Sequence, residues 1–128
     1  MTIQTPETAA TVHHEGGAAC PMDYILRMLM GPWTTYIVYN LRTYGPQRFG
    51  ELQHKLAGIS PKVLTQTLRR LENSGFVDRK VFPEVPLHVE YSLTELGHSA
   101  NVPLAHLRNW ALDNIARVPN LTPAGPSP

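Results

Sequence analysis

The run Ala57-Gly58-Ile59-Ser60-Pro61 constrains the fold of this chain more than any other five residues. A tight glycine-containing turn leads into a serine that can cap a helix. The proline after it suits a first helical position, where the missing N–H has no intrahelical acceptor to lose. A helix therefore starts at Ser60, directly after a short helix carried by Phe49, Leu52 and Leu56. At about 100° per residue this second helix separates two faces. Leu64, Thr67, Leu68 and Leu71 form one; Lys62, Thr65, Gln66, Arg69 and Asn73 form the other. One face suits a core and the other suits water or a polar partner. Gly75 then ends the helix.

The rest of the chain supplies the setting. Met22, Ile25, Leu26 and Leu29 repeat with helical spacing from Pro21 up to Gly31-Pro32, and Trp33, Ile37, Val38 and Leu41 do so up to Tyr44-Gly45-Pro46. Phe76 to Phe82 has the aromatic and β-branched content of a strand. Pro83 to Leu87 is a loop stiffened by two prolines, and His88 to Leu93 alternates as a second strand. Thr94 caps a last helical stretch with apolar Leu96, Leu104, Leu107, Trp110, Ala111 and Ile115, which Pro103 is expected to kink or divide. The fold read from this order is mainly α with a small β-hairpin, a winged helix-turn-helix.

A chain of 128 residues closes one core and would leave two marginal. The domain is expected over 20–117, between flexible tails at 1–19 and 118–128, the latter with four prolines from Pro119 onward. With 42% hydrophobic and 16% charged residues the middle is globular rather than disordered. No apolar run approaches the roughly 18 residues of a membrane span. The first residues also lack the blocks of a signal peptide, so the chain is read as cytoplasmic and without a membrane partner. Cys20 is the single cysteine, which excludes an intrachain disulfide and a zinc site built from several cysteines. The six histidines are scattered and no glycine-rich phosphate loop occurs. No metal, no cofactor and no catalytic residue is therefore expected, and the chain is not read as an enzyme.

The net charge of +1 conceals an uneven distribution. Between Arg42 and Lys80 eight cations (Arg42, Arg48, Lys55, Lys62, Arg69, Arg70, Arg79, Lys80) face three anions (Glu51, Glu72, Asp78). That local surplus of five can supply phosphate contacts to double-stranded DNA. In a helix-turn-helix the second helix of the pair enters the major groove. Arg69 can grip guanine with two hydrogen bonds and Gln66 can do the same with adenine. Thr65 can bond a base edge or touch a thymine methyl, and Lys62 suits phosphate. Ser60 and the free N–H groups at the helix start can hold another phosphate. Arg48 and Arg70 extend the basic surface, and Arg79, Lys80 and His88 lie where the hairpin could reach the next groove or backbone. The same polar residues would also suit a solvated helix face, or a winged-helix protein-interaction module that meets an acidic partner without specific DNA binding.

The apolar stripe of Leu104, Leu107, Trp110, Ala111 and Ile115 exceeds what so small a domain needs for itself. Met22, Ile25 and Leu26 make the first helix similarly apolar, so a homodimer through the terminal helices is expected. Trp33, Tyr36, Tyr39 and Trp110 read first as core and dimer contacts, although the first, second and last helices could enclose a small effector cavity in the dimer.

Several motifs stand in one order: Cys20-Pro21, Gly31-Pro32-Trp33-Thr34, Arg48-Phe49-Gly50-Glu51-Leu52, Gly58 through Gln66, Leu68 through Glu72, Gly75-Phe76-Val77, Pro83 through Pro86, and Val89 through Gly97. From Cys20 to Ile115 the chain resembles the HxlR-type transcriptional regulators, relatives of the MarR type. The resemblance implies a dimeric, sequence-specific winged-helix regulator of transcription, with the fourth helix as reader and the terminal helices as dimer interface. Pro32 departs from the pattern, since the family commonly has lysine just before the tryptophan. Some members sense oxidants or electrophiles through a cysteine ahead of the first helix, which is the place of Cys20. A helix N-terminus favours the reactive thiolate, whereas nearby Asp23 and the absent lysine oppose it. Cys20 thus stands between two readings, a redox sensor and a small side chain packed at the dimer seam.

Overall fold

The computed structural model describes residues 20–121. In chain order these form α1 (Pro21–Leu29), α2 (Thr34–Tyr44), β1 (Gln47–Arg48), α3 (Phe49–Lys55), α4 (Pro61–Asn73), β2 (Val77–Phe82), β3 (His88–Leu93) and α5 (Glu95–Asn114), followed by a 3-10 turn at Ile115–Arg117. The tail expected over 1–19, and the part of the other tail from 122 onward, lie outside the described residues. Contacts divide the chain between Gly31 and Pro32 into two units. The described part of the first is α1, which starts at Pro21 behind Cys20 and carries an Asp23–Arg27 ion pair of 2.8 Å one turn apart. None of its residues is buried, and Met22, Ile25 and Leu26 are exposed. No helix of the described residues is long and apolar enough to cross a membrane.

The second unit is built on the apolar faces read above. Ile37, Val38 and Leu41 of α2, Leu52 of α3, and Leu64, Leu68 and Leu71 of α4 are buried, with Phe76, Val77 and Leu93 from the sheet side. Each such aliphatic side chain contributes about 1.5–3 kcal/mol by leaving water. Thr67 shares the buried face of α4 and stays satisfied because its hydroxyl donates to the Val63 carbonyl at 2.8 Å. The end of α4 is closed by two backbone bonds, Phe76 N–H to the Leu71 carbonyl (2.9 Å) and Gly75 N–H to the Glu72 carbonyl (3.0 Å). This is the pattern in which a glycine follows the C-cap, with the buried pair Leu71 and Phe76 beside it.

The hairpin is present in the register Val77↔Leu93 through Phe82↔His88, but the sheet has a third strand. β1 pairs antiparallel with β3, Gln47 opposite Tyr91 and Arg48 opposite Glu90, so β3 is central and the expected hairpin gains a third, two-residue strand. Gln47 is buried and its side-chain amide donates to the Asn40 carbonyl at 3.0 Å, which fastens β1 to α2. A correction concerns Pro103. It lies inside a continuous α5 and does not divide it. Both Pro103 and Ser99 are exposed, so water can reach the Ser99 carbonyl that the proline leaves without a helical donor. Leu104, read above as part of a dimer stripe, is buried within the protomer at 6% exposure. Helical spacing alone cannot tell burial inside one chain from burial between two.

The first turn of α5 packs against the start of β2. Thr94 donates its N–H to the Phe76 carbonyl at 3.1 Å, and its hydroxyl accepts the Gly97 N–H at 3.0 Å. A Cβ on Gly97 would overlap the Phe76 carbonyl oxygen and press on Leu93, so only glycine permits this approach.

Candidate nucleic-acid interface

The candidate reader helix, α4, owes its position to the turn that precedes it. α3 ends as the Leu56 N–H bonds the Leu52 carbonyl at 2.9 Å, and the Ile59 N–H then bonds the Leu56 carbonyl at 3.1 Å. Gly58 sits between them at φ +96°, a conformation that costs a residue with a Cβ far more. Ile59 is buried and anchors the turn. Ser60 caps α4 as expected: its side-chain oxygen accepts the Val63 N–H at 3.1 Å, and its hydroxyl hydrogen remains to donate to a phosphate.

Across from the Leu64, Leu68 and Leu71 face, Lys62, Gln66 and Arg69 are exposed, with Thr65 half-buried among them. Lys62 to Arg69 spans about 10 Å along the helix axis. That length matches a major groove about 12 Å wide. Arg70 is also exposed, on the flank of this face. Among the described residues none of Lys62, Arg69 and Arg70 takes part in an ion pair, so no protein carboxylate competes with phosphate for them.

The wing divides its cations in a way composition did not reveal. Arg79 and Lys80 are consecutive in β2 and therefore point to opposite faces of the sheet. Arg79 lies opposite Tyr91, while Lys80 lies opposite Glu90, which in turn lies opposite Arg48. Arg48, Glu90 and Lys80 thus form one row across three strands, a carboxylate between two cations. His88 belongs to this face as well: its ring stacks on Phe82 at 4.7 Å and its Nε2 lies 3.5 Å from a Glu90 carboxylate oxygen. Its side chain is only 14% exposed, so it holds the base of the wing loop rather than offering itself outward. Lys80 keeps its ammonium 5.0 Å from the centre of the Phe82 ring. Arg48 also starts α3, its N–H donating to a Glu51 carboxylate oxygen at 2.8 Å. At the wing tip Val85 and Leu87 are exposed. Glu90 is the member of this surface that sequence reasoning missed, because its neighbours are set by the pairing with β1.

The candidates for other roles are placed as follows. Cys20 is half-buried at the N-cap of α1, its carbonyl accepting the Tyr24 N–H at 3.1 Å. On α5, Leu107, Trp110, Ala111 and Ile115 are exposed, unlike Leu104.

Comparison with known proteins places this geometry. The family model for HxlR-like helix-turn-helix proteins matches residues 28–119. The helix-turn-helix transcriptional regulator YtfH of Escherichia coli K12 is 40% identical over 99 residues, which cover 77% of this chain and 78% of that protein. The solved structure of YtfH from Salmonella typhimurium matches with a TM-score of 0.73 at 38% identity, covering 81% of this chain and 92% of that one. The redox regulator HypR in its oxidized form matches with a TM-score of 0.68 at 35% identity, over 74% of this chain and 97% of that one. With the turn, α4 and the hairpin all inside the residues that the family model matches, the chain belongs to the HxlR-like helix-turn-helix family and is a transcriptional regulator.

Proposed function

We propose that this regulator binds double-stranded DNA as a homodimer, one α4 per half-site in the major groove and the wing against the flanking backbone or groove. The observation that carries the reading is the exposed face of Lys62, Thr65, Gln66 and Arg69, on a helix whose opposite face is core. Arg69 and Gln66 would read bases. Lys62, Ser60 and Arg70 would hold phosphates, with Arg48, Arg79 and Lys80 adding charge from the sheet. His88 would act by shaping the wing. Such a protein works in the cytoplasm, where its DNA is.

The dimer reading rests on exposed apolar residues, Leu107, Trp110, Ala111 and Ile115 on α5 and Met22, Ile25 and Leu26 on α1. Light scattering showing only monomer at micromolar concentration would remove it. Likeness to HypR supports an oxidant or electrophile as effector, with Cys20 at a helix N-terminus as the responding thiol.

Affinity for a genomic binding site and for random duplexes, measured across a range of salt, tests the DNA reading. The expected result is a steep fall of log K with log salt for both, and tighter binding to the genomic site. A folded protein with no affinity for either duplex would instead favour a protein-docking module.

A further inference from the structure

On the outer face of the wing several cations share one carboxylate. Glu90 in the central strand lies opposite Arg48 on one side and Lys80 on the other. Side chains directly opposite on one face of a sheet are within reach of each other. Among the described residues, however, the group that ion-pairs with Glu90 is neither of these but His88, whose Nε2 lies 3.5 Å from a carboxylate oxygen. That contact is an ion pair only when the imidazole carries a second proton.

The imidazole is fixed where it can act on Glu90. Its ring stacks on Phe82 at 4.7 Å with the planes 14° apart, and its side chain is 14% exposed. The charged groups around it come from three strands. Glu90 is on its own strand, Lys80 in β2 holds its ammonium 5.0 Å from the centre of the Phe82 ring, and Arg48 in β1 lies beyond Glu90. Asp78 shares this face at the far end of β2, opposite Ser92, and Glu84 is the charged residue of the wing loop.

Imidazole is the side chain that gains a proton as pH falls from about 8 to about 5. With His88 neutral, the Glu90 carboxylate stands against phosphate between two exposed cations. With His88 protonated, the carboxylate has a cation of its own at hand, and the cluster gains one positive charge. The stack on Phe82 keeps that charge beside Glu90, so His88 need not touch DNA to alter how the wing meets it.

We propose that His88 is a proton-dependent positioning residue of the wing: protonated from solvent, it engages Glu90 and leaves Arg48 and Lys80 to DNA phosphate, so the regulator holds DNA more tightly as pH falls. The inference rests on the DNA reading and concerns its regulation. Linkage is reciprocal, so DNA binding draws a proton onto the protein to the extent that the proton favours DNA.

The test is the affinity of the full chain for a random duplex at fixed ionic strength, for wild type, His88→Gln and Glu90→Gln. From about pH 8 to about pH 6, wild type should gain about threefold or more in affinity beyond what His88→Gln gains, since the other histidines titrate in both. Loss of the stack by itself would change affinity equally at both pH values and leave the profile in place. Glu90→Gln should raise affinity clearly at the higher pH and little at the lower, where His88 already answers the carboxylate. This second variant carries the test alone if circular dichroism shows His88→Gln unfolded. The proposal is overturned if folded His88→Gln keeps the wild-type pH profile, or if Glu90→Gln changes affinity by the same factor at both pH values. Those results leave the DNA reading standing, whereas no affinity for any duplex at either pH removes both.

Discussion

The Thr94 hydroxyl donates to the Gly75 carbonyl at 2.6 Å across nineteen residues of chain, and the same oxygen accepts the Gly97 N–H. One side chain therefore joins the glycine that ends α4 to the first turn of α5. Thr94→Val keeps the shape and removes both bonds. It should lower stability by about 1–2 kcal/mol in denaturant unfolding. An unchanged midpoint would show that the link is incidental.

On the reader face, Arg69→Ala should cost about 1–3 kcal/mol of binding to the specific site and relax the preference for one base. Lys62→Ala should weaken all duplexes alike and lower the salt slope by about one unit. Anisotropy titrations on specific and random duplexes distinguish the two. If neither change alters affinity in a folded dimer, α4 is not the reader.

Leu68 is 2% exposed on the opposite side of the same helix. Leu68→Ala should open a core cavity and cost about 2–5 kcal/mol of stability, reducing DNA binding only through loss of fold. Full stability in the variant would contradict the burial of that face.

Glu90 sits in the row between Arg48 and Lys80, with His88 beside it. Glu90→Gln preserves size and removes the carboxylate that lies between two exposed cations, leaving phosphate without a competitor in that row. Affinity for random DNA should rise, and its salt dependence should steepen. Identical salt curves for variant and wild type would mean that this face of the wing does not meet DNA.

Cys20→Ser should leave basal DNA binding intact and abolish any response to diamide or quinones. Should wild type prove equally unresponsive, Cys20 serves packing.

Much of this was legible in the residues, and the parts that were not share physical causes. The faces of α4 follow from a helical period sustained over thirteen residues with a cap at Ser60 and a stop at Gly75, so its buried set of Leu64, Thr67, Leu68 and Leu71 was readable in full. β1 was not, since Gln47 and Arg48 are too few to show alternation and their partners lie more than forty residues away. The row of Arg48, Glu90 and Lys80 stayed hidden with it. Arg79 and Lys80 are neighbours in sequence, yet the pleat sends them to different surfaces. Pro103 reads as a kink or a division, but the helix runs on through it with Ser99 and Pro103 both on the solvent side. Leu104 shares a stripe with Leu107 and Ala111, and only the packed chain separates the inward residue from the outward ones.

β2 is an edge strand, its outer backbone groups without a strand beside them among the described residues. Such an edge is a template on which another molecule's strand could add. Here Asp78, Arg79 and Lys80 place three consecutive charges in a strand of six, and Pro83 follows directly. Chains stacking along that edge would have to desolvate these charges, and the proline offers no N–H to continue the ladder. The protein can therefore hold out a bare strand at high concentration without seeding intermolecular sheet. Neutralising the three charges would be felt first as aggregation.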